Sequence, residues 1–89
     1  MRVILLDTNK LIDKKSMGDY MRELLDLPDF FASNLDSLAD CLSEVTEDVD
    51  FILDGEDILR MIVDDYAYRT VRVISDATYE NPHLHLHIK

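Results

Sequence analysis

The chain has 89 residues, nineteen acidic against nine basic, for a net charge of −10 before its three histidines. That length predicts one domain spanning residues 1–89. The charge excludes the usual nucleic-acid binder, whose affinity rests on Lys and Arg, disfavours an anionic membrane surface, and favours a basic protein as partner.

Val3-Ile4-Leu5-Leu6 is a continuous apolar run, the pattern of a parallel strand covered on both faces, and a strand is predicted near 2–7. With Met1 and Arg2 before it, the run is too short for a secretory leader, and no stretch reaches the roughly 18 apolar residues of a membrane span. Asp7 to Lys15 reads as a polar loop with Leu11 and Ile12 dipping inward. Ser16, with Asp19 three residues on, resembles a capping box and opens a helix near 16–26, which Pro28 stops.

Ser33 opens a second helix near 33–45, in which Leu35, Leu38, Leu42 and Val45 share one face. Val49 to Leu53 reads as a strand. A turn at Asp54-Gly55 leads into a helix near 55–64 with Ile58, Leu59, Ile62 and Val63 inward. The stretch 66–80 has the β-branched residues of a strand, yet Ala67, Val71, Ile74 and Ala77 fall at helical spacing and four turns fit its length. His83 to Ile88 alternates strictly, as a strand does. The order β-α-α-β-α-α-β predicts an α/β fold: a small three-stranded parallel sheet packed with about four helices.

Asp36, Asp40 and Ser43 form a stripe on the second helix, opposite its leucines. Like charges at i, i+4 cost a few tenths of a kcal/mol in a free helix, so keeping both, with Asp29 nearby in sequence, builds a negative patch or a solvated face. Two carboxylates on neighbouring turns of one exposed helix enclose no cleft, which argues against acid–base catalysis. His83, His85 and His87 share one face of the last strand, an arrangement that suits either a zinc ligand pair or a half-solvated edge. The edge reading is preferred and no metal is expected. Cys41 is the single cysteine, read as a half-buried, inert thiol in a reducing cytoplasm. The two glycines form no phosphate-cradling loop, and no cofactor is expected.

The segment Leu27-Pro28-Asp29-Phe30-Phe31-Ala32-Ser33-Asn34-Leu35-Asp36-Ser37-Leu38-Ala39-Asp40-Cys41-Leu42 resembles the signature of the barstar family: Leu-Pro, an acid, two aromatics, then Asn-Leu-Asp, and Asp-Cys-Leu at fixed spacing. The rest of the chain agrees in length and element order. The resemblance implies a barstar-like fold without enzymatic activity, acting as a cytoplasmic inhibitor that plugs the active site of a basic ribonuclease.

By position, it implies that Asp40 enters the nuclease's phosphate pocket and that Asp36 pairs with a base at the same site. Phe30 would supply the loop's aromatic contact, Asn34 and Ala32 would shape that loop, and Ser43 and Asp76 would add polar contacts. The family's type member has tyrosine at Phe30, glycine at Ala32 and tryptophan at Ala39 and Val45, so the acidic anchors stand in thinner aromatic surroundings. A monomer is favoured. An immunity protein for an unrelated toxin nuclease is the alternative within the same class. A regulatory or metal-binding module using the histidine strand is the alternative outside it.

Overall fold

A computed structural model describes residues 2–89. In chain order they form β1 (Arg2–Leu5), a 3-10 turn at Thr8–Lys10, α1 (Lys14–Leu24), α2 (Leu35–Ser43), β2 (Val49–Leu53), α3 (Gly55–Arg60), α4 (Tyr66–Glu80) and β3 (Leu84–Ile88). The sheet is three-stranded and parallel, in the order β1-β2-β3. The predicted α/β architecture is the one found, and residues 66–80 are helical over the predicted span.

The strand order explains where the core lies. Right-handed crossovers are the rule between parallel strands, and two of them stepping in one direction place every helix on the same side of the sheet. Ile4, Val49, Phe51, Leu53 and Leu84 point to that side and are buried with Met17, Met21, Leu38, Leu42 and Ile74 from the helices. The other face is open. Val3 is 58% and Leu5 71% exposed, so β1 is covered on one face and not on two as its apolar run suggested. A run without alternation states that side chains are apolar, not that both sides find a cover.

Caps fall elsewhere than read. Asp13, not Ser16, caps α1, its carboxylate accepting from the Ser16 N–H at 2.8 Å. Asp19 turns outward to Lys15. Asn34, not Ser33, caps α2, accepting from the Ser37 N–H at 2.7 Å. Leu11 is buried but Ile12 is exposed, and α3 ends at Arg60, so Ile58 alone of its predicted inner face packs on the core while Leu59 stands 86% exposed. On α4 the buried face is Ala67, Thr70, Ile74 and Ala77. Thr70 is accommodated because its hydroxyl donates to the Tyr66 carbonyl at 2.9 Å.

His83 precedes β3 and bonds Asp48 at 2.9 Å. His85 lies beside Asp50 in register, and the His87 ring comes within 3.3 Å of the Asp50 carboxylate without a hydrogen bond, so β3 is an edge strand with a polar face. Among the described residues no three His, Cys, Asp or Glu side chains converge on a metal position.

Two of these contacts make stability depend on pH. The His83 hydrogen bond holds the Asp48 carboxyl below the usual carboxylate range, and the Ser16 N–H does the same for Asp13. A depressed folded-state pKa gives stability that is present above the unfolded value, about 3.9, and lost as pH falls through the folded one. The Asp48→Asn variant will therefore lose less stability than wild type between about pH 5 and pH 3 in urea melts. Parallel losses in the two proteins would remove Asp48 from the account.

Candidate functional site

The family-like segment folds as a loop followed by α2. Pro28 begins a turn closed by the Phe31 N–H on the Pro28 carbonyl at 3.0 Å. The turn separates two adjacent aromatics: Phe31 enters the core at 3% exposure, whereas Phe30 is 64% exposed. Ser33 then takes φ 50°, in the left-handed region, and Asn34 starts the helix. The Asn34 cap satisfies an otherwise free N–H, a contribution of about 1 kcal/mol. The Ala32 N–H donates to the Ser37 hydroxyl at 3.0 Å, which ties the loop to the first turn of α2.

On α2, Asp36 and Asp40 are both exposed while Leu38, Cys41 and Leu42 are buried; Leu35 is half-buried. Asp36 lies in the first turn, where the helix dipole favours negative charge. Among the described residues no cation bonds either carboxylate, so the stripe faces solvent as a negative edge. Cys41 is more buried than its sequence position suggested, at 3% exposure, and burial pushes its thiol up, away from reactivity.

Asp76 comes from α4, yet it borders the same edge. With Ala39, Ser43, Val73, Ala77 and Glu80 it lines a cleft of about 150 Å³ between α2 and α4. The Ser43 hydroxyl donates to the Asp40 carbonyl at 2.6 Å, which leaves its lone pairs toward solvent. Phe30, Ala32, Asn34, Asp36, Asp40 and Ser43 thus follow one loop and helix, with Asp76 beside Ser43. A larger cleft of about 360 Å³, lined by Thr8, Ile12, Arg60 and Tyr66 among others, shares none of these residues.

Residues 1–87 match the family described as Barstar (barnase inhibitor). The chain belongs to the barstar family. A relative from Bacillus subtilis (strain 168), named "Putative ribonuclease inhibitor YrdF", is 30% identical over 81 residues, covering 90% of this chain and 89% of the relative. Barstar-family members are inhibitors rather than enzymes. Where the type member carries tryptophan, this barstar-family chain has Ala39 at the rim of the α2–α4 cleft and Val45, half-buried just past the end of α2.

Two residues that shape the loop had not been singled out. Arg22 on α1 donates to the Phe31 carbonyl at 2.8 Å and to the Ser33 hydroxyl at 2.7 Å. Gly18, one turn before it, lies against Ser33. A mid-helix glycine costs about 1 kcal/mol relative to alanine, and that cost was the available signal of a close approach.

Proposed function

We propose that the chain inhibits a basic ribonuclease by laying the exposed edge of α2 into its active site. The exposure of Asp36 and Asp40 on a capped helix, in a chain of this family, carries the reading. A ribonuclease site gathers Arg, Lys and His to stabilise a pentacovalent phosphate, and two carboxylates at fixed spacing suit the same cations. Asp40 is the central anchor, Asp36 its neighbour in the charge cluster, Phe30 the apolar contact, and Ser43 and Asp76 the polar rim. Asn34 and Ala32 fix the loop. The chain acts as one domain and a monomer in the cytoplasm, where its single thiol stays reduced. The cleft left open beside Ala39 favours, as a second reading, a nuclease whose surface differs from barnase at that point, including a toxin nuclease.

The test is an RNA-cleavage assay with barnase and with the basic ribonucleases of the chain's own organism. Stoichiometric loss of cleavage, weakening as salt rises, is expected for at least one of them. Unimpaired cleavage by every one of them at micromolar inhibitor would reject the reading.

A further inference from the structure

The partner-facing loop has few backbone bonds of its own; Ser37 ties Ala32 to α2, and α1 holds the residues on either side of Ala32. One Arg22 amino group donates to the Ser33 hydroxyl at 2.7 Å and the other to the Phe31 carbonyl at 2.8 Å, while the guanidinium carbon lies 4.8 Å from the centre of the Phe31 ring. The planar fork therefore fixes Phe31 and Ser33 relative to α1 at once, which a single ammonium group cannot do. Gly18 makes room for this. A Cβ there would stand 2.3 Å from the Ser33 hydroxyl oxygen and 2.5 Å from the Ser33 Cβ.

Ser33 itself is in the left-handed region at φ 50°, where a serine stays only if its surroundings hold it. Glycine would take that conformation freely, but it offers no hydroxyl to Arg22. The residues meant to face a partner, Phe30 and Ala32, alternate with the two that Arg22 grips.

We propose that Arg22, seated over the Gly18 notch, is the positioning residue that pre-orders the inhibitory loop, presenting Phe30 and Ala32 before any partner arrives. The functional half of this rests on the inhibitor reading. Pre-ordering lowers the entropy that binding must supply, so it raises affinity without a contact of its own.

The experiment uses the full chain and the variants Arg22→Gln, Arg22→Lys, Ser33→Gly and Asp40→Ala. Amide hydrogen exchange of the free proteins is measured alongside affinity for barnase. In Arg22→Gln, exchange at residues 30–34 is expected to speed about ten-fold, while the amides of Met21, Leu38 and Leu42 keep wild-type rates. Ser33→Gly, which removes the strain and one contact together, is expected to loosen the loop without lowering the urea midpoint. Arg22→Lys is expected to recover less than half of the protection. Affinity for barnase is expected to fall about ten-fold in Arg22→Gln, and further in Asp40→Ala, whose loop exchange stays at the wild-type rate.

Unchanged exchange at 30–34 in Arg22→Gln, or a rise shared by the whole chain, overturns the proposal. So does a loosened loop that binds barnase with wild-type affinity while Asp40→Ala binds weakly. Were Asp40→Ala also to bind at wild-type strength, α2 would fall as the anchor and the functional role of Arg22 with it, though the exchange data would still show whether Arg22 orders the loop.

Discussion

Asp40→Ala will weaken binding to the target ribonuclease by about 2–5 kcal/mol or more, the general cost of truncating one partner of a buried charge pair, for which a barstar complex is itself a reference system. Its effect on folding will be far smaller. In the free protein Asp40 is an exposed carboxylate one turn from Asp36, bonded to no cation among the described residues, so its removal relieves a repulsion of a few tenths of a kcal/mol. In the proposed complex the same group would be desolvated among cations, and its loss would leave them buried and unpaired. Asp36→Ala acts in the same direction but less strongly. The two effects will not add, because both carboxylates face one charge cluster. Raising salt to about 0.5 M will slow association more than it speeds dissociation, since screening acts on the approach and less on the closed contact. Titration of each variant against the nuclease, paired with urea melts, separates the two effects. Wild-type binding by Asp40→Ala would remove α2 as the anchor.

The parts of this fold that a sequence discloses are those written as a period. The helical spacing through 66–80 outweighed its β-branched residues because fifteen residues in a row bury one face. The opposed stripes of α2 likewise placed Asp36 and Asp40 outside and Leu38 and Leu42 inside. The end of a helix is a different matter. Either Ser16 or Asp13 offers a capping oxygen, and the backbone takes whichever residue leaves helical φ and ψ where the chain turns. Apolar residues at α3 misled because composition says what would gain from burial, while only the packed molecule says what is covered; Leu59, Ile62 and Val63 stay out. The candidate site divided in the same way. Its local half, Phe30 to Ser43, could be read along one segment. Its distant half could not: Arg22 meets Ser33 from a neighbouring helix, and Asp76, named only through the family resemblance, reaches the edge of α2 because α4 packs against it.

Asn81→Ala will produce the opposite pattern to Asp40→Ala, a large loss of stability with little direct loss of affinity. Asn81 follows α4 and is 5% exposed. Its side-chain amide donates to the carbonyls of Leu42 and Val45, both at 2.9 Å, and its carbonyl oxygen accepts from the His83 N–H at 3.0 Å. One side chain thus closes the C-terminal end of α2 and the entry to β3, in a chain where no helix-ending glycine does so. Truncation leaves three backbone groups short of a partner. The Leu42 carbonyl keeps the capping N–H of Glu44, shared with the Cys41 carbonyl, and the 3.3 Å contact from the Val45 N–H.

A buried group left unsatisfied costs about 1–3 kcal/mol, and water reaching the partly exposed Val45 side returns some of that. The expected net loss is about 2–4 kcal/mol, a large share of the stability of so small a chain. Asn81→Asp will be worse than alanine. It keeps the acceptor for His83 but sets a carboxylate against two carbonyl oxygens, where neither ionisation nor hydrogen bonding is favourable. In urea melts both variants should shift the midpoint with an unchanged slope, as expected when the folded surface is the same. Both should still inhibit the nuclease under conditions where they are folded, because Asp36 and Asp40 lie on the solvent side of α2, away from the Asn81 contact. An unfolding free energy within about 0.5 kcal/mol of wild type for Asn81→Ala would mean that the end of α2 is closed by the Glu44 and Val45 N–H groups alone.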